Sequence, residues 1–264
     1  MAQEQNKEAK YLYCIIKCGE ERSFNGVPAI GGRGDRIHTV VFNDLACVVS
    51  DSPDMKYDST RANMMAHEKL IEQIMREFTV LPIRFGTVTT KDSSSPVEDI
   101  RHKLLESRFK ELLSLHEEID NRVELGLKAL WRDEKAIYEE IVAENRELRK
   151  LRDSIEGKSP EGTHFDRMHL GEMVKKALDQ KREKEAKKLL ARLRPVADRL
   201  QENKIIMDRM VLNAAFLANK DREIECDEIV KRLDEELGER MVFKYVGPTP
   251  PFNFCDIVVK WEEE

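Results

Sequence analysis

The glycine-rich stretch "GGRGDR" is the first place where residue type suggests chemistry. Gly31, Gly32 and Gly34 resemble part of a phosphate-binding loop. Their spacing matches neither G-x-G-x-x-G nor G-x-x-x-x-G-K-[ST], and the stretch precedes a predicted strand rather than a helix. We therefore interpret it as a loop, and its Arg-Gly-Asp triplet as a chance tripeptide.

The histidines form no recognisable metal or catalytic pattern. His164 and His169 are five residues apart, whereas helical metal pairs are usually four apart, and no cysteine or second acidic ligand accompanies them. His67 and His102 lie in predicted helices without a nucleophile pattern. The sequence predicts no catalytic residue, no metal and no cofactor, and hence a protein that is not an enzyme.

The cysteines and the amino terminus indicate a compartment. The five cysteines, at positions 14, 18, 47, 226 and 255, are odd in number and fall mostly in predicted strands. Buried thiols in a reducing cytoplasm are the simplest interpretation. The start "MAQEQNKEAK" lacks a signal-peptide hydrophobic region, and no apolar run approaches the ~20 residues that span a bilayer. We expect a cytoplasmic protein without a membrane span.

Arg84 lies in the predicted strand "LPIRFG", between Ile83 and Phe85, where one face should be buried. A buried arginine needs a carboxylate or carbonyl partner, and its role is more often structural than functional. One alternative is an anion site near Arg84 in a small-molecule-binding or enzymatic domain. Thermal-shift screening against nucleotides and acids separates these readings.

The run "KREKEAKKLLAR" (181–192) is rich in basic residues. Glutamates are interleaved, aromatic residues are absent, and Glu183 and Lys187 have the i,i+4 spacing of a helical ion pair. The whole chain of 264 residues has a net charge of −6. We therefore expect a solvated helix face and no nucleic-acid partner.

The first half of the chain predicts an α+β domain over residues 1–131. "YLYCIIKC" is rich in aromatic and β-branched residues, and two short strands joined at Asn43-Asp44 follow it. A helix is predicted over 59–78, with Met64 and Ile71 on its apolar stripe, and another starts at Ser95-Pro96. With "LPIRFG" and "RVELGLKALW" as further strands, this order favours a ferredoxin-like α/β sandwich.

The second half predicts a C-terminal domain over residues 132–264. Apolar residues at alternating three- and four-residue steps predict a long antiparallel, coiled-coil-like helical hairpin over 133–201, with 156–165 as its turn. Pro195 should kink or end the second arm early. A small α+β segment follows over 204–261, with a final strand from Cys255 to Trp261.

"GPTPPFNF" (247–254) lies between two predicted strands. Gly247 permits a turn, and the prolines fix φ and prevent strand pairing until Phe252. Phe252 and Phe254 either fill the core beneath this turn or present an apolar contact to a partner. The residues alone leave both possibilities open.

Six stretches in order resemble the gas vesicle protein F/L family, and they favour its F type. They are "YLYCIIK", "VLPIRFGTV", "RVELGLKALW", "LRPVADRL", "VLNAAFLA" and "GPTPPFNF", which extend from residue 11 to near the end of the chain. The last motif has Thr249 where the family usually has an aromatic residue, and Phe252 where it often has tyrosine.

The resemblance implies a function in gas vesicle assembly and buoyancy. Members of this family are accessory proteins that help to assemble the gas vesicle shell, and they are not known for catalysis. The main protein of that shell is small and very hydrophobic. The expected partners are that shell protein and other accessory proteins, and the expected location is with gas vesicles. The candidate partner-binding or structural residues are Arg84, Phe85, Gly86, Asn213, Phe252, Asn253 and Phe254.

Overall fold

The computed structural model describes residues 8–90 and 93–261, so residues 1–7 of the polar amino terminus lie outside it. The chain forms two compact units. The first unit contains residues 1–124 and 248–264, and the second contains residues 125–247. The chain therefore leaves the first unit once and returns to it for its last segment.

The first unit contains a five-stranded antiparallel sheet in the order β2-β3-β4-β1-β5. Strand β1 is internal, because it pairs with β4 on one side and with β5 on the other. The tight turn between β3 and β4 places Asn43 at φ 51°, in the left-handed region that asparagine tolerates. The strands are β1 (Ala9–Lys17), β2 (Ser23–Phe24), β3 (Ile37–Phe42), β4 (Leu45–Ser52) and β5 (Val80–Pro82).

Helix α1 (Arg61–Met75) covers one face of this sheet. Thr60 caps it by accepting a hydrogen bond from the N–H of Asn63. Its buried stripe includes His67, Leu70 and Ile74, whereas Met64 is 41% exposed, so the prediction that Met64 is buried was wrong. The stripe packs beside Tyr11, Tyr13 and other residues of the sheet.

The opposite face of the sheet is also buried. Alternate residues of a strand point to opposite faces, and Cys47 and Val49 of β4 are fully buried although they are not part of the α1 cluster. The segment that contacts β3 and β4 begins as α2 (Pro96–Asp99) and continues as a π-helical stretch (Ile100–Glu106). Helix α3 (Phe109–Ile119) follows after a break at Ser107–Arg108.

The second unit contains a four-stranded sheet in the order β7-β8-β6-β9. Helix α7 (Glu223–Leu237) ends before Gly238. The α+β fold class, with two antiparallel sheets and a long helix, is confirmed. The strands are β6 (Arg122–Trp131), β7 (Arg199–Glu202), β8 (Met210–Asn219) and β9 (Met241–Thr249), and the boundary between the units falls within β6 and β9.

The helical hairpin is present, but its first arm is two helices rather than one. Helices α4 (Glu134–Glu144) and α5 (Arg146–Ile155) both pack against α6 (His164–Leu193). Asn145 separates them, because its side chain accepts hydrogen bonds from the N–H groups of Glu147 and Leu148 and starts a new helix. Helix α6 ends two residues before Pro195, and Arg199 and Leu200, predicted as helix, belong to β7.

The predicted final strand from Cys255 to Trp261 was wrong. Ile257 forms a single parallel bridge to Ile83, and no strand forms among the described residues after Thr249. Side chains occupy the carbonyl groups that a ladder would use. Arg108 donates to the carbonyl of Val258, and Trp261 donates to that of Val88.

The predicted domain boundary after Trp131 stays a prediction. The two compact units instead meet between residues 124 and 125 and again between residues 247 and 248. Residues 248–261 pack in the first unit, whereas the sequence places them in the C-terminal domain. All five cysteines are buried free thiols. Within residues 8–90 and 93–261, no helix is both long and apolar enough to cross a bilayer.

Candidate functional site

Six of the seven predicted site residues meet in the first unit, in two turns that lie side by side. Arg84, Phe85 and Gly86 form a turn immediately after β5, which we call the 84–86 turn. Phe252, Asn253 and Phe254 form a second turn, the 252–254 turn. The Ile83–Ile257 bridge and an ion pair between Arg84 and Asp256 join the two segments.

The 84–86 turn needs a glycine at its third position. Thr87 donates through both its N–H (3.3 Å) and its hydroxyl group (2.8 Å) to the carbonyl of Arg84, which closes the turn. Gly86 has a φ of 82°, a value that side-chain-bearing residues rarely adopt. The geometry of this turn therefore depends on Gly86 for its backbone and not for space, since no atom outside the adjoining residues lies within 4 Å of a Cβ built there.

A buried hydrogen-bond chain holds the 84–86 turn against α1. Nε2 of His67 lies 3.1 Å from the carbonyl oxygen of Ile83 and must donate to it, so the neutral ring accepts at Nδ1 from the Tyr11 hydroxyl group at 3.0 Å. The Tyr11 oxygen in turn accepts from the N–H of Gly86 at 2.9 Å. Burial lowers the pKa of His67 to about 4, which keeps the ring neutral.

Two phenylalanine rings cover the buried histidine. Phe85 lies edge-on to His67, with ring centroids 5.8 Å apart, and Phe252 lies 6.3 Å from the same ring. Phe85 is partly buried and Phe252 is 37% exposed. Met64, one turn before His67 on α1, is 41% exposed. We call Met64, Phe85 and Phe252 the apolar patch.

Arg84 lies at the edge of this patch and is exposed. The prediction of a buried Arg84 was wrong, because β5 ends at Pro82 and the arginine side chain is 63% accessible. Its predicted carboxylate partner is present: the guanidinium donates through Nε and Nη2 to both oxygens of Asp256, each at 2.5 Å. An anion at Arg84 would have to displace Asp256.

The 252–254 turn is built by the prolines before it. Strand β9 continues through Pro248 to Thr249, and the chain turns afterwards, where Phe254 and Cys255 donate N–H groups to the carbonyl of Pro251. The prediction of a turn at Gly247 was therefore wrong, because Gly247 lies within β9. Phe254 is buried and Phe252 is exposed, so the two aromatic residues differ in role.

Glu124 anchors the 252–254 turn from below, and the sequence did not indicate it. Its side chain is 5% exposed, and its carboxylate accepts from the backbone N–H (2.8 Å) and the side-chain amide (2.5 Å) of Asn253. Burial raises the pKa of Glu124, and the two donors of Asn253 oppose that rise. The residue that covers Glu124 lies 129 positions later in the chain.

Asn213, the seventh predicted residue, lies in the second unit. Its side-chain amide donates to the carbonyl of Lys204 at 3.0 Å, and its own carbonyl accepts from the N–H of Asn203 at 2.7 Å. These bonds hold the connection between β7 and β8. Asn213 therefore has a structural position of its own, separate from the two turns.

The remaining sequence candidates are distributed over the surface and the core. His164 and His169 are both exposed near the start of α6, and His102 pairs with Glu98 and Glu106 on the helical surface. No group of three potential metal ligands forms within the described parts of the chain. The geometry at the two turns supports an apolar contact with a rigid backbone more readily than a reaction.

Known proteins of one family are similar to this chain along almost its whole length. The family model of gas vesicle synthesis protein GvpL/GvpF matches residues 9–256. Gas vesicle protein F of Nostoc sp. strain PCC 7120 is 27% identical over 84% of this chain and 88% of its own. Gas vesicle protein F of a Streptomyces species is 27% identical over 93% of this chain and 99% of its own.

Solved structures share the fold. The crystal structure of gas vesicle protein GvpF from Anabaena sp. PCC7120 has a TM-score of 0.78 and 27% identity, and covers 95% of this chain and 99% of its own. That of GvpF from Microcystis aeruginosa has a TM-score of 0.76 at 23% identity, over 94% and 99%. The chain belongs to the gas vesicle synthesis protein GvpL/GvpF family.

Proposed function

We propose that this chain is a non-enzymatic accessory or minor structural protein of gas vesicle assembly. It binds the small hydrophobic shell protein, other accessory proteins, or both, and so promotes nucleation or formation of the shell. It works in the cytoplasm, at gas vesicles. The observation that carries the proposal is the family match over residues 9–256. Relatives named gas vesicle protein F, similar over most of their length, support it.

The apolar patch is the surface we propose for this contact. A subunit rich in apolar surface needs a partner that shields that surface before assembly, because exposed apolar patches lead to aggregation. Phe252 and Met64 present apolar atoms to solvent, while the hydrogen bonds of Tyr11, His67 and Glu124 fix the backbone beneath them. A rigid patch loses little conformational entropy when it binds.

Replacement of Phe252 with serine tests the patch. We expect the Phe252→Ser variant to fold and to retain less of the co-expressed shell protein in a pull-down, by about tenfold, as for loss of an aromatic anchor. Phe165→Ser is the matched control, because Phe165 is 82% exposed on α6 in the second unit. Absence of any complex with the wild-type chain would refute the function. Loss in the Phe165 variant alone would keep the function but move the contact to α6.

A further inference from the structure

An open cavity of about 620 Å³ lies within the second unit, among α4, α5 and α6. Its lining is dominated by charged side chains. The charged side chains of the lining form two groups: those that pair with each other, and cations that form no ion pair among the described residues.

Each carboxylate at the base of the cavity is paired, although three carboxylates share two cations. Arg240 binds both oxygens of Glu140 at 2.6 and 2.9 Å, and also binds Glu185 at 2.7 Å. Lys181 binds Glu140 at 2.9 Å and both oxygens of Glu144 at 3.0 and 3.1 Å. These cations lower the pKa of Glu140 to about 2, so the base stays ionised and paired at neutral pH.

The basic run 181–192 has a regular division between paired and unpaired side chains. Four of its six basic residues pair with a carboxylate, and the two that form no ion pair within the described residues, Lys184 and Lys188, both line this cavity. The four pairs are Lys181 with Glu140 and Glu144, Arg182 with Asp179, Lys187 with Glu183, and Arg192 with Glu236.

A third unpaired cation faces the same space from α5. Arg146 lines the cavity and makes no ion pair among the described residues. Among the lining carboxylates, Glu147 is the one that makes no ion pair with a described residue. The whole lining carries five cations and four carboxylates, so its net charge is +1, and the unpaired cations supply this positive excess. Lys184 and Lys188 are also i,i+4 neighbours of like charge, an arrangement that slightly destabilises a helix. A bound anion would relieve this repulsion.

We propose that this cavity binds a small polyvalent oxyanion of the phosphate class, held by Arg146, Lys184 and Lys188. The volume is in the range of small-molecule sites, and arginine with lysine is the usual combination for phosphate oxygens. Aromatic residues are missing from the described lining, so bases of a nucleic acid would find nothing to stack on. The site does not depend on the proposed function and involves none of its contact residues.

Calorimetric titration of the full chain with pyrophosphate tests the site. We expect measurable binding to the wild-type chain at low ionic strength, and a roughly tenfold weaker affinity for the double variant Lys184→Gln, Lys188→Gln. These lysines make no ion pair among the described residues, so their loss should leave the circular dichroism spectrum unchanged.

The double variant Lys175→Gln, Lys176→Gln is the matched control. It removes the same charge from exposed positions of the same helix outside the cavity lining. We expect its affinity to stay within about twofold of wild type. Equal weakening in both double variants, or no binding by the wild-type chain, would overturn the proposal. Tighter binding of a single-stranded oligonucleotide, weakened by the control pair as well, would overturn it in favour of a nucleic-acid-binding helix face.

Discussion

His67 and Glu124 are both buried, and burial lowers the pKa of His67 but raises the pKa of Glu124. His67 is kept neutral by burial, with its two nitrogens committed to Tyr11 and Ile83. Glu124 lies beneath Asn253 without a cation among the described residues. Each holds one of the two turns that carry the apolar patch, so each connects turn geometry to pH.

Protonation of His67 should weaken the fold as pH falls. The folded pKa of about 4 lies below the usual 6.5, so between these values the unfolded chain binds more protons and the free energy of unfolding decreases with falling pH. Relative to His67→Gln, the wild-type chain should lose about 2 kcal/mol between pH 7 and pH 5, measured by urea unfolding.

His102 provides the control for this pH dependence. It is exposed, and its hydrogen bond to Glu106 raises its pKa, so its contribution is present at low pH and is lost as pH rises. The difference between wild type and His102→Gln should therefore have the opposite slope to that for His67. Parallel slopes for the two variants would show that His67 is not buried as a neutral ring.

Asn253 should matter mainly through the charge of Glu124. Asn253→Ala removes one of two donors to a buried carboxylate and should cost about 2–3 kcal/mol of unfolding free energy. In a Glu124→Gln background the same change should cost about 1 kcal/mol, because the acceptor is then uncharged. A double-mutant cycle with no coupling between the two positions would contradict this contact.

At the scale of elements, the 84–86 turn and α6 allow a direct comparison of two glycines. Gly86→Ala places a side chain at a φ of 82° and should destabilise the chain by about 1 kcal/mol. Gly171→Ala lies inside α6 with open space around it and should stabilise the helix by up to about 1 kcal/mol. Thermal unfolding followed by circular dichroism measures both. Similar effects of the two substitutions would show that backbone conformation at residue 86 is not limiting.

At the scale of the whole molecule, the first unit is completed by the last residues of the chain. Residues 248–261 supply the donors of Asn253, the carboxylate of Asp256 and the Trp261 contact to Val88. The two chain crossings also lie close together, because the Thr249 hydroxyl group donates to the carbonyl of Glu124 at 3.2 Å. A short connection can therefore replace the second unit.

This closeness predicts which fragments fold. Residues 1–124 joined to 248–264 by a flexible linker of about four residues should show a cooperative thermal transition. A fragment of residues 1–131, the domain predicted from sequence, should not, because Glu124 and the edge of β5 lose their partners. Cooperative unfolding of the 1–131 fragment alone would contradict the role assigned to residues 248–261.

Local patterns predicted the elements, whereas distant contacts decided the exceptions. Asn43, Ser95-Pro96 and Pro195 carry signals that act within a few residues, and the boundaries they predict are present. Helix periodicity fits both Met64 and His67, yet His67 is buried beside Phe85 and Phe252, whereas Met64 is exposed. Glu124 had no local signal at all, since its cover is contributed by a turn far away in sequence.

The discontinuous first unit also sets an order of events during synthesis. A ribosome produces residues 125–247 as one uninterrupted stretch, which can pack before the chain is finished, whereas the amino-terminal residues must wait for the 252–254 turn to emerge. Until then the carboxylate of Glu124 and the outer edge of β5 remain uncovered. The apolar patch is therefore complete only after the 252–254 turn has been synthesised, so a product terminated before that turn would not present it.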